Sequence, residues 1–78
     1  MIERYITLTR IDDVKRFVDL AVSQPFEIDL VSDRYTVNGK SIMGVFSLDL
    51  ANPILMRASC DENNEFAEKI GNFLAEKP

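Results

Sequence analysis

The chain has 78 residues, with 13 acidic against 9 basic side chains for a formal net charge of −4, a single Cys and no His. So short a chain fills one hydrophobic core, and its 46% apolar content with three Gly and three Pro is too hydrophobic for a disordered tail, so residues 1–78 read as a single domain. The acidic balance excludes a nucleic-acid partner, which is held by clustered Lys and Arg, and the missing imidazole removes most zinc chemistry and every Ser–His or Cys–His nucleophile pair. With no apolar run long enough for a signal peptide or membrane span, and a lone Cys60 that cannot close an internal disulfide, the expectation is a cytoplasmic protein without metal or cofactor and without membrane insertion.

Residues 2–8 alternate at Ile6, Thr7 and Leu8 and predict a half-buried strand. Thr9 with Asp12 three residues on resembles a capping box, and Ile11, Val14, Phe17, Val18, Ala21 and Val22 fall on one face of a helix that ends before Pro25. Phe26, Ile28 and Leu30 alternate with Glu27 and Asp29 as a second strand, and Ser32-Asp33 supplies a turn into the return strand at Tyr35-Thr36-Val37. Asn38-Gly39 breaks that strand with residues that tolerate positive φ.

A short helix follows, with Ser41 as its cap and Ile42, Val45 and Phe46 on a shared face, and Asn52-Pro53 as its stop. Ile54, Met56 and Ala58 alternate as a fourth strand. Ser59 with Glu62 suggests a capping box for a last helix whose apolar stripe is Phe66, Ala67, Ile70, Phe73 and Leu74. The order β-α-β-β-α-β-α, with strands that are apolar on one side only, predicts an α+β open-faced sandwich: a four-stranded, mainly antiparallel sheet with three helices on one face.

The segment Gly39-Lys40-Ser41-Ile42-Met43-Gly44-Val45-Phe46-Ser47-Leu48 resembles the regulatory-site segment of HPr, the phosphocarrier of the bacterial sugar phosphotransferase system, and the resemblance runs from about Phe17 to Leu48. In that family a histidine at the start of the first helix accepts a phosphoryl group from enzyme I and passes it to sugar-transport components. Aligned from the helix backward, Arg10 stands where the histidine would be and Asp12 where a following arginine would be. Phosphohistidine is a labile phosphoramidate able to pass its group onward, whereas a Ser phosphate is a stable ester suited to signalling. Arg10 stays cationic and is a poor nucleophile, while Asp12 or Asp13 could form an acyl phosphate but sit where acidic residues ordinarily complement the start of a helix.

The resemblance therefore implies a non-enzymatic, regulatory HPr-like protein rather than a carrier. It implies that Ser41 is the residue phosphorylated by HPr kinase/phosphorylase, with Lys40, Ile42 and Met43 facing protein partners: enzyme I, transport components or a transcriptional regulator. The family's catabolite-repression paralogue, which also lacks the carrier histidine, is the precedent. The alternatives are a docking module that needs no phosphorylation and competes with true HPr, or a carrier using Asp12 or Asp13. Helical spacing makes Met43 the more exposed of the two apolar candidates. The acidic run 61–65 lacks the ligand pattern of a calcium loop and reads as the solvated start of the last helix, and Cys60 reads as a small filler.

Overall fold

The computed structural model describes residues 1–33 and 35–75. The elements are β1 (Ile2–Ile6), α1 (Ile11–Val22), β2 (Ile28–Ser32), β3 (Tyr35–Asn38), α2 (Ile42–Phe46), β4 (Ile54–Ala58) and α3 (Glu65–Lys69), with a 3-10 turn over Ile70–Phe73. The sheet runs in the order β1-β4-β2-β3, and every pairing is antiparallel. Sequence order and fold class match the expectation from patterning.

Period-two alternation decides which sheet face is covered. Ile2 and Ile6 of β1, Ile54, Met56 and Ala58 of β4, and Ile28 and Leu30 of β2 are buried and aligned by the register Ile6↔Ile54, Leu30↔Met56 and Ile28↔Ala58. Their neighbours Glu3, Tyr5, Asp29, Val31, Leu55 and Arg57 lie on the opposite, open face. Onto the covered face α1 brings Val14, Phe17, Val18 and Ala21, α2 brings Val45, and the last helix and turn bring Phe66, Ile70 and Phe73. Phe17 and Phe73 meet edge to face at 5.6 Å, and Phe26 and Phe66 at 5.4 Å, arrangements that suit the ring quadrupoles.

Several local expectations are corrected. The first strand stops at Ile6, and its outer edge is occupied by the chain after the 3-10 turn, through Thr7 N–H to Phe73 C=O at 2.8 Å and Ala75 N–H to Tyr5 C=O at 2.9 Å. Helix α1 is capped at Arg10 rather than Thr9, and Ile11 and Val22 lie outside the buried stripe at 66% and 58% exposure, because the core stripe is only four residues long. Helix α2 ends at Phe46, well before Asn52-Pro53, where Asp49 Oδ1 and Oδ2 accept from Ala51 N and Asn52 Nδ2 in a turn of their own.

Helix α3 is capped by Asn64, whose side chain accepts from Phe66 N at 2.9 Å, not by Ser59 with Glu62. The acidic run therefore precedes the helix, and only Glu65 lies in it. Asp33, at φ 52°, is the one described non-glycine residue in the left-handed region, as a short β2–β3 connection requires and an Asp tolerates. No helix among the described residues is long and apolar enough to cross a membrane.

Candidate functional site

The Ser41 turn is assembled from side chains and main chain on both sides of it. Gly39 N–H donates to Ile28 C=O at 2.7 Å, Ser41 N–H to Asn38 C=O at 3.0 Å, and Lys40 N–H to Asn38 Oδ1 at 2.9 Å. Gly39 is buried here without a positive φ, contrary to the expectation from the Asn-Gly pair. What the position needs is closeness: a Cβ on Gly39 would sit 2.8 Å from Ile28 Cγ2 and 3.2 Å from Ile28 O.

At the end of this turn Ser41 caps α2, its Oγ accepting from Gly44 N–H at 3.1 Å. The residue itself is exposed. Beside it Met43 is 76% exposed and Ile42 37%, while Val45 alone of α2 is fully buried, so helical spacing separates surface from core as expected for Met43. Ile42 and Phe46, which spacing puts on one face with Val45, remain partly in solvent, so only the Val45 part of that face reaches the interior. Lys40 does not project freely: its ammonium donates to the Gln24 carbonyl at 2.8 Å and ties the turn to the C-terminal side of α1.

The start of α1 is built differently. Asp13 folds back so that Oδ2 accepts from Arg10 N at 3.1 Å and from Thr9 Oγ1 at 3.3 Å, and Oδ1 stands 3.7 Å from the Arg10 guanidinium and 3.8 Å from that of Arg16. The reciprocal half of a capping box is unavailable, since an Arg side chain carries no acceptor. Burial pushes the Asp13 carboxyl up, but the Arg10 amide, the Arg10 charge and the Thr9 donors outweigh it and hold the group below its ordinary value of 3.8. Asp12 is exposed at the same turn.

Sequence reasoning placed Ser41 and Met43 correctly in space and gave Asp12 or Asp13 to the start of α1, where Asp13 is the one that accepts from Arg10 N. It missed the Lys40–Gln24 tie and the Asn38 side-chain bond, neither of which has a legible signal in the sequence. Cys60 is half-buried, and burial with the neighbouring Asp61 charge pushes its thiol above the usual range, which disfavours the reactive thiolate. Among the described residues no group of three or more His, Cys, Asp or Glu side chains is arranged to hold a metal ion.

No family model and no curated protein matches the sequence. Solved structures do. The chain superposes on HPr-C-His from Thermoanaerobacter tengcongensis with a TM-score of 0.74 and 26% identity, over 92% of this chain and 89% of that one. It superposes on the phosphocarrier protein HPr from Bacillus anthracis str. Ames with a TM-score of 0.71 and 23% identity, over 95% and 96% of the two chains, a likeness that speaks to fold.

The four-stranded antiparallel sheet with its helices on one side is thus an α+β sandwich of the HPr type. Over nearly its whole length the chain therefore resembles solved HPr proteins, one of them named a phosphocarrier, in fold.

Proposed function

We propose that this HPr-like chain, acting as one domain over residues 1–78, is a regulatory member of the sugar phosphotransferase system that is phosphorylated on Ser41 and docks through Ile42 and Met43. The observation that carries the reading is the exposed Ser41 hydroxyl beside an exposed Met43 in a chain with no His. Phosphorylation there adds close to two negative charges to a surface without disturbing any buried group. Its effect is then a change in what α2 presents, not a change of fold.

HPr kinase/phosphorylase is the partner that would install the phosphate, and a transcriptional regulator is the reader. The compartment is the cytoplasm. Lys40 keeps two of its three N–H donors for a partner while the third remains on Gln24. With Asp12 at the position of a family arginine, a reader that places an acidic group on that site meets like charge, so the reader of this chain is complementary to an acidic first turn.

One observation favours a second reading. The apolar patch of Ile42, Met43 and Phe46 is already exposed without any modification, which supports a docking module that occupies enzyme I or a transport component and blocks true HPr. The carboxylate-carrier reading gains less support, because Asp13 is committed to Arg10, Thr9 and Arg16 and only Asp12 stays open to a donor.

Incubation with HPr kinase/phosphorylase and ATP, followed by intact-mass analysis, tests the first reading. One added phosphate, absent from Ser41→Ala, is expected; an unmodified wild-type chain contradicts it. Calorimetric titration with enzyme I in the absence of ATP tests the second, which requires saturable binding that Met43→Ala weakens.

A further inference from the structure

The sheet face left uncovered by the helices is not uniformly polar. The register Tyr5↔Leu55 and Val31↔Leu55 lines up Tyr5, Leu55 and Val31 across β1, β4 and β2, and all three are half-buried without a covering layer. This apolar row floors a cleft of about 370 Å³ whose walls are Ser32, Asp33, Asp49, Asn52 and Pro53. The cleft lies on the opposite side of the sheet from α2, so it is no part of the Ser41 surface.

Its charge is one-sided. Asp33 and Asp49 stand on the rim, and Asp49 spends its hydrogen bonds on neutral donors, Ala51 N and Asn52 Nδ2, which leave its charge in place. One register position along, Arg57 is drawn to Glu3 at 2.8 Å, and Asp29 lies on its other side. Among the described residues four carboxylates, Glu3, Asp29, Asp33 and Asp49, therefore accompany Arg57 on this face. A cleft with an apolar floor and an acidic rim is complementary to side chains that pair an aliphatic stem with a cationic head, since Lys and Arg bury the one and keep the other at the edge.

We propose that the open sheet face is a second docking surface, and that its occupant is a basic segment of another protein in which Lys or Arg alternates with aliphatic residues. The stems and aliphatic side chains cover Tyr5, Leu55 and Val31, and the cationic heads reach Asp33 and Asp49. The surface works independently of Ser41, so a phosphorylated or unphosphorylated chain presents it alike.

The test is a titration of the ¹⁵N-labelled full chain with a capped heptapeptide in which Lys alternates with Leu and Val, beside a counterpart carrying Glu for each Lys. The Lys peptide is expected to shift the amides of Tyr5, Val31 and Leu55 saturably, leaving those of Met43 and Phe46 in place, and to lose affinity several-fold in high salt. The Glu peptide is expected to shift none of them.

The double substitution Asp33→Asn with Asp49→Asn removes the charges while Asn keeps the tolerance for positive φ at 33 and one of the two turn acceptors at 49, and an amide spectrum unchanged away from the cleft checks that the fold is retained. It is expected to weaken the Lys peptide several-fold. Equal response to both peptides, shifts centred on α2, no response at millimolar peptide, or unchanged affinity in the double variant overturns the proposal. So does a concentration-dependent shift of the same amides without peptide, which makes a second copy of the chain the occupant.

Discussion

The starts of α1 and α2 face the same physical problem, a set of orphan backbone amides, and solve it in ways that leave different surfaces. At α1 a carboxylate folds back, collects the Arg10 amide and the Thr9 hydroxyl, and lies near two guanidinium groups, so the acidic and basic side chains there largely answer one another. At α2 a neutral hydroxyl takes one amide, and the residues around it, Ile42 and Met43, are left to solvent. At one helix start the charged side chains are engaged with one another and with the Arg10 amide; the other has apolar surface and a modifiable oxygen in hand.

Anchorage separates them further. Helix α1 is held by four buried side chains and α2 by Val45 alone. Truncating Phe17→Ala should accordingly cost about 3–5 kcal/mol, enough to threaten folding of so small a domain, and urea denaturation followed by circular dichroism measures it. A loss below about 1 kcal/mol would mean that α1 is not the principal clamp on the sheet.

Next in size is Gly39→Ala, which forces a Cβ against the Ile28 side chain and carbonyl and should cost about 1–3 kcal/mol by overpacking. Gly71→Ala is its control. Nothing lies within 4 Å of a Cβ there, so a change near zero or a gain of up to about 1 kcal/mol is expected.

Ser41→Ala removes the α2 cap and should cost about 1 kcal/mol, while Ser41→Asp, which keeps an acceptor, costs less. Equal losses in the two variants would show that the Gly44 amide is satisfied by water instead. Denaturation midpoints at constant slope make the comparison.

The smallest effect is a pH dependence at the other helix. Because the folded-state pKa of Asp13 is depressed, the stability it contributes is fully present above its unfolded value near 3.8 and is lost as pH falls through the lower folded value. Asp13→Asn should therefore be less stable than wild type at neutral pH, with the gap closing below about pH 4. A gap that stays constant to acid pH would remove the carboxylate from the α1 cap.

The contrast also explains what could be read in advance. The sheet, the element order and the side of each strand that faces the core were legible because alternation at Ile54, Met56 and Ala58 or at Ile28 and Leu30 is enforced by burial of a single face. Helix ends were less legible. Thr9 and Arg10 are adjacent in sequence, as are the residues from Ser59 to Asn64, and which of them caps depends on where the preceding strand releases the chain. Within the site, Ser41 as a cap followed from local chemistry, but the bond from Lys40 to Gln24 joins residues 16 apart and has no local signature. Spacing puts Ile11, Val22 and Phe46 on apolar helix faces, yet Ile11 and Val22 lie largely in solvent and Phe46 is only partly covered, since periodicity marks a face without saying how much of the face finds a partner.

The account rests on phosphate belonging at the start of α2 and not at the start of α1. Incubation of the wild-type chain with purified enzyme I and phosphoenolpyruvate tests this most directly. No acid-labile phosphate on the protein is the predicted result; acid-labile label, lost in Asp12→Ala with Asp13→Ala, would make the chain a carrier and contradict the account.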